Sequence, residues 1–140
     1  MDYSMIGPGI ALGMGCIGSS IGCGIAGMAS HGVMSRIEEG HGKLIAMSAI
    51  PASQSIYGFL LMMFMSQNIK AGTLLPLDAI GIAFFVGLAI MFSSIFQGKC
   101  AATAIQATGK NPALYGMCWA ALGIVESFAL FAFVFAMLII

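Results

Sequence analysis

Charge is confined to a few short places in this chain, and the stretches between them are long enough to cross a bilayer. Residues 3–35 carry no Asp, Glu, Lys or Arg; Arg36, Glu38, Glu39 and Lys43 then fall within eight positions. Residues 44–69 are again uncharged and end at Lys70. A membrane-crossing helix needs about 20 apolar residues, so each stretch holds one. After Asp78 the plan repeats, broken at Thr108-Gly-Lys-Asn-Pro112, a turn composition. The pattern predicts helices near 5–34, 44–67, 78–107 and 113–139, which use the whole 140-residue chain and leave no soluble domain. Only 7% of residues are charged, against about 25% in an ordinary soluble domain, and so few cannot solvate the surface of a soluble monomer. The expected class is an all-α, multi-pass integral membrane protein.

The remaining composition excludes other classes. Five cations balance five anions, so no basic field exists to hold nucleic acid. Cys16, Cys23, Cys100 and Cys118 lie in apolar stretches without metal or disulfide spacing and read as free thiols packed like small hydrophobes. Asp2 stands where a signal peptide would carry basic residues, and the first apolar stretch is too long for a signal core, so no cleaved leader is expected. Arg36, Lys43 and Lys110 follow the first and third spans, whereas Lys70 alone follows the second. By the positive-inside rule the first set is cytoplasmic and both termini lie outside.

The two halves resemble each other. A shift of 74 pairs Gly7, Ser19, Ser20, Ile21 and Gly24 with Gly81, Ser93, Ser94, Ile95 and Gly98. A shift of 72 pairs Ala49, Ser55, Phe59 and Met65 with Ala121, Ser127, Phe131 and Met137. Two tandem hairpins, 1–70 and 71–140, therefore run in the same orientation, a parallel repeat unlike the inverted repeats of many transporters. The first span carries nine glycines and the second only Gly58. Small residues let helix backbones approach closely in lipid, and nine of them imply crowding on several sides, as on the inner wall of a ring of helices. Phe84, Phe85, Phe92 and Phe96 make the third span bulkier.

Glu126 carries the functional signal. It lies 14 residues past Pro112, about 21 Å along a helix rising 1.5 Å per residue, near the middle of the bilayer. An ionised carboxylate there costs at least about 2.5–3.5 kcal/mol, so it must bind a cation, hold a proton, or pair. Gln54, its repeat counterpart, and Gln97 lie at matching depth; Ser53 and Tyr57 share the helix of Gln54, with Gln54 and Tyr57 spaced i, i+3. Pro51 removes a backbone donor and frees carbonyl oxygen where these groups cluster. The set is all oxygen and suits a hard cation. A proton needs only a carboxylate whose pKa burial has raised, so the richer cluster favours Na+ as cargo, with H+ the alternative because Gln and Ser also satisfy one another. Lys99 points to another face than Gln97 and is expected to reach toward the cytoplasmic interface. His31 and His41 read as loop residues, and Phe128, Phe131, Phe133 and Phe135 as facing lipid or a stator beside Glu126. Two other classes remain open at this level: a small proton-coupled exporter of cations, and a structural proteolipid for which Glu126 is dispensable.

Together these residues resemble the membrane rotor subunit (subunit K, the proteolipid or c-type subunit) of V/A-type ATPases, most closely its sodium-transporting members. The likeness covers the whole length and is most specific at Ile50-Pro-Ala-Ser-Gln-Ser-Ile-Tyr57, Gln97 and Glu126. It implies a non-catalytic subunit whose identical copies form a ring with inner and outer helix layers, turning against a stator subunit that offers a cationic side chain. It also implies a central-stalk subunit at the cytoplasmic loops, surrounding membrane lipid, and no cofactor. By the family pattern the ion ligands are the Ile50 carbonyl, Ser53, Gln54, Gln97 and Glu126, with Tyr57 hydrogen-bonding the carboxylate and Ser53 replacing the usual Thr. An ATP-driven pump in a prokaryotic plasma membrane is the expected setting.

Overall fold

A computed structural model describes residues 3–140; Asp2, used above to argue against a leader, lies outside the described residues. The chain forms helices α1 (Ile6–Met34), α2 (His41–Ala49), α3 (Ser53–Ala71), α4 (Pro76–Lys110) and α5 (Tyr115–Met137). A 3-10 turn at Ile50–Ala52 joins α2 to α3 into one span, and another at Pro112–Leu114 leads into α5. The described residues thus make four helical units, each long and apolar enough to cross a membrane.

The second and third spans run longer than the charge pattern predicts. Lys43, Lys70 and Lys110 all lie inside end turns, because a long cationic stem can carry its head out of the hydrocarbon while its backbone stays helical. Asp78 in the first turn of α4 and Lys70 and Lys110 in the last turns of α3 and α4 also complement the helix dipoles. The ends themselves follow local chemistry. Gly72, at φ 76°, closes α3 in the left-handed region that glycine adopts without strain. Pro76 opens α4 where no N–H is needed, and Asn111 accepts the Ala113 N–H at 3.1 Å to start the turn before α5. His31 and His41 are helical, the former in the last turn of α1 and the latter opening α2 with its Nε2 2.9 Å from the Ile37 carbonyl oxygen. They are exposed, but not loop residues.

Helices α1 and α4 lie against each other along their length, with α3 packed on α1 and α5 on α4. Glycine sets this closeness. A Cβ on Gly18 would sit 2.7 Å from the Met91 Cα, and one on Gly7 would sit 2.7 Å from the Ala79 carbonyl carbon. Gly22 abuts Ser94 and Gly98, while Gly15 and Gly58 meet across α1 and α3. Buried apolar side chains form two separate layers. One gathers Ala11, Leu61, Met65 and Ile90; the other gathers Ala26, Leu44, Met47 and Ile105. Polar groups occupy the level between them. The four cysteines are free, as expected, though Cys16 is exposed on α1 rather than packed.

Gly18→Ala is expected to lower stability by about 1–3 kcal/mol, because the added methyl has only backbone to displace. Gly116→Ala, in open space on α5, should leave stability unchanged or raise it by up to ~1 kcal/mol. Thermal unfolding of the detergent-solubilised protein followed by circular dichroism compares the two.

Candidate functional site

Pro51 begins the construction of the site. Without an N–H it cannot bond to the Met47 carbonyl, and the span tightens into the 3-10 turn at Ile50–Ala52. The carbonyls of that turn are then held by side chains. Ser94 Oγ on α4 donates to the Pro51 oxygen at 2.8 Å, and Ser53 Oγ donates to the Ile50 oxygen at 3.1 Å. The turn is thereby tied to α4 at the level where α1 presents Gly15 and Gly22.

From Ser53 a run of hydrogen bonds crosses the bundle. Ser53 Oγ also lies 3.2 Å from Gln54 Oε1, and Gln54 Nε2 donates to Gln97 Oε1 at 2.9 Å. Gln97 Nε2 donates to the Leu122 carbonyl at 3.0 Å and approaches Glu126 Oε2 at 3.4 Å. Tyr57 OH donates to Glu126 Oε1 at 3.1 Å. Gln54 and Gln97 are both 0% exposed, and their bonds to each other, to Ser53 and to the Leu122 carbonyl offset much of the desolvation cost of two buried amides. Glu126 is half-buried on α5, and both its oxygens meet neutral donors.

The six residues named from sequence as ion ligands or their partner (Ile50, Ser53, Gln54, Tyr57, Gln97 and Glu126) therefore lie in one connected cluster spanning α2–α3, α4 and α5. Its oxygens comprise the Ile50 carbonyl, the Ser53 hydroxyl, two amide oxygens and a carboxylate. An amide oxygen that accepts one hydrogen keeps a second lone pair, so Gln54 and Gln97 retain acceptor capacity for a hard cation. Among the described residues no group of three His, Cys, Asp or Glu side chains offers a softer metal site.

Two serines were missed. Ser93 Oγ donates to the Val125 carbonyl at 2.7 Å and so anchors α5 one residue before Glu126, while Ser94 anchors the Pro51 turn. Their spacing from Gln97, one helical turn, was the available signal. Ser19, the repeat counterpart of Ser93, is buried with no hydrogen-bond partner, so the second hairpin is tied together at this level where the first is not. Phe133 also departs from expectation: its ring stacks on Tyr57 with centroids 6.0 Å apart, whereas Phe128, Phe131 and Phe135 remain exposed. Lys99 is exposed and its Nζ lies 4.9 Å from the Phe96 ring centroid, a cation–π contact.

Fold and site define an all-helical integral membrane protein with a polar layer around one mid-span carboxylate. The pattern of the ATP synthase C-subunit family matches it twice, at residues 6–65 and 80–139, and the chain belongs to that family. It is 34% identical over 139 residues to the A-type ATP synthase subunit K of Methanocaldococcus jannaschii, covering 98% of this chain and 62% of that protein. It is 30% identical over 128 residues to the V-type sodium ATPase subunit K of Enterococcus hirae, covering 89% of this chain and 81% of the relative. The chain thus spans less than two thirds of the archaeal relative's length.

The Gln54–Gln97 pairing makes a measurable claim. Gln97→Leu strands the Gln54 amide and is expected to cost about 1–3 kcal/mol, with Gln54→Leu similar. The double replacement should cost clearly less than their sum, as partners in one buried bond do. Thermal unfolding of the four proteins in detergent closes the cycle.

Proposed function

We propose that this chain is the ion-carrying subunit of a V/A-type ATPase rotor, in which identical copies form a ring and each carries one Na+ on Glu126. It catalyses no bond chemistry itself. The observation that carries this reading is the convergence of Tyr57, Gln97 and, through Gln54, the Ile50–Ala52 turn on a single carboxylate in the apolar span of α5. The names of both relatives, one of them a sodium ATPase subunit, support it.

Chemically, Na+ would be held by the Ile50 carbonyl, Ser53, Gln54, Gln97 and Glu126, with Tyr57 orienting the carboxylate. The neutral pair can face hydrocarbon as the ring turns without the cost that a bare carboxylate would incur there. At the stator a cationic side chain offers a competing charge and displaces the ion. The loop at 35–40 faces the cytoplasm and the central stalk, with both termini on the opposite side of a prokaryotic plasma membrane. The alternative cargo is H+, favoured by the ability of Ser53, Gln54 and Gln97 to satisfy one another without a cation.

Carbodiimide labelling of Glu126 at fixed pH decides between cargoes. Millimolar Na+ should slow modification and K+ should not; a rate indifferent to Na+ rejects the sodium site. Glu126→Gln should escape labelling and abolish coupled transport in the reconstituted complex while the ring still assembles. Retained transport would overturn the role of Glu126.

A further inference from the structure

The internal repeat, read against the contacts inside one chain, assigns the register in which successive copies meet. This rests on the ring reading above. Within the chain α1 meets α4 at Gly7–Ala79, Gly18–Met91, Gly22–Ser94 and Gly22–Gly98, offsets of 72, 73, 72 and 76. The repeat itself relates the two helices by 74. Equivalent residues of α1 and α4 therefore stand at nearly the same depth. An operation that carries α1 onto α4 is then a rotation within the membrane plane with almost no rise. Applied again, it carries α4 onto the α1 of another copy, and a head-to-tail contact without rise closes into a ring where its rotation divides a full turn.

The same operation names the surfaces. Gly7, Gly18 and Gly22 become Gly81, Phe92 and Phe96 on α4; Met91, Ser94 and Gly98 become Ile17, Ser20 and Gly24 on α1. If the contact recurs between copies, all six must be exposed in a single chain. They are: Ile17, Phe92 and Phe96 are 50–53% exposed, and Gly81, Ser20 and Gly24 are exposed too. Neither Gly81 nor Gly24 has any atom within 4 Å of the place a Cβ would take. Lipid could cover an apolar stripe, but it gives no reason for both members of each repeated pair to be open together.

We propose that the Gly81–Phe92–Phe96 stripe of α4 packs on the Ile17–Ser20–Gly24 stripe of α1 in the next copy. The contact is not a copy of the internal one in spacing. Inside the chain glycines bring backbone to backbone; between copies two phenylalanine rings stand where Gly18 and Gly22 stand inside. Helix separations range over about 8–10 Å with the side chains at the contact, so the inner layer alternates close pairs within chains and wider pairs between them. Phe92 and Phe96 are the spacers. Lys99, one turn beyond Phe96 and stacked on it, lies at the edge of this interface.

The test is disulfide trapping in a ring freed of Cys16, Cys23, Cys100 and Cys118. Phe96→Cys with Ser20→Cys in one chain should give, on oxidation, a ladder of covalent multimers on non-reducing SDS gels, and neither single replacement should. Phe92→Cys with Ile17→Cys provides a second pair if the first fails to fold. Native mass spectrometry of the unoxidised protein separates the two levels of the argument: a monomer or dimer sinks the ring reading, whereas an intact ring that yields no ladder from either pair sinks the register. Phe96→Ala should change the number of copies per ring; an unchanged number with an intact ladder overturns the spacer role.

Discussion

Hydrocarbon offers no hydrogen bonds, and every feature of this molecule that matters for function follows from that. Backbone groups in the spans must pair within their own helices, so the chain is helical wherever it is apolar. Where Pro51 breaks that pairing, Ser53 and Ser94 take up the exposed carbonyls. Where Gln54 and Gln97 enter the interior, each finds the other. Glu126, the mid-span carboxylate, is met only by neutral donors, the Tyr57 hydroxyl and a long contact from Gln97. The serine and glutamine scaffold around it answers first to the need of buried polar groups for hydrogen-bond partners.

Glycine does the complementary work. The polar layer is narrow, between two apolar layers, and its hydrogen bonds run from the α2–α3 turn through α4 to α5. They reach only because Gly15 and Gly22 let α1 sink against the Pro51 turn and α4. A ring of ordinary side chains on α1 would hold α3 and α4 apart by the width of a methyl or more, and a 2.9 Å amide bond does not survive such a shift. Packing of small residues and satisfaction of polar ones are thus one design, in which the first span acts as a thin wedge and contributes no ligand itself.

The duplicated hairpin has diverged in a consistent direction. Gln54 replaces the carboxylate in the first half and serves the site of the second. Ser93 ties α5 to α4, while its counterpart Ser19 has no partner. Phenylalanines replace glycines on the matching face of α4. The two halves thus differ at the polar layer, and among the described residues a single mid-span carboxylate, Glu126, serves four spans.

The sequence alone determined the class, the four spans, the repeat and, apart from Ser93 and Ser94, the membership of the polar cluster, because each depends on one-dimensional properties: where charge is tolerated, how many apolar residues a bilayer requires, and at what depth a polar residue falls. It placed helix ends short by several residues at Lys43, Lys70 and Lys110, since charge marks where a side chain must reach water and not where backbone bonding stops. Only the tertiary structure decided which partner each polar atom takes. Ser93 and Ser94 bond to carbonyls of other helices, Phe133 turns inward onto Tyr57, and Lys99 rests on Phe96. Those outcomes depend on the rotation of each helix about its axis and on its distance from its neighbour. Both are fixed by side-chain shape across the interface, where glycine against backbone allows one spacing and no other.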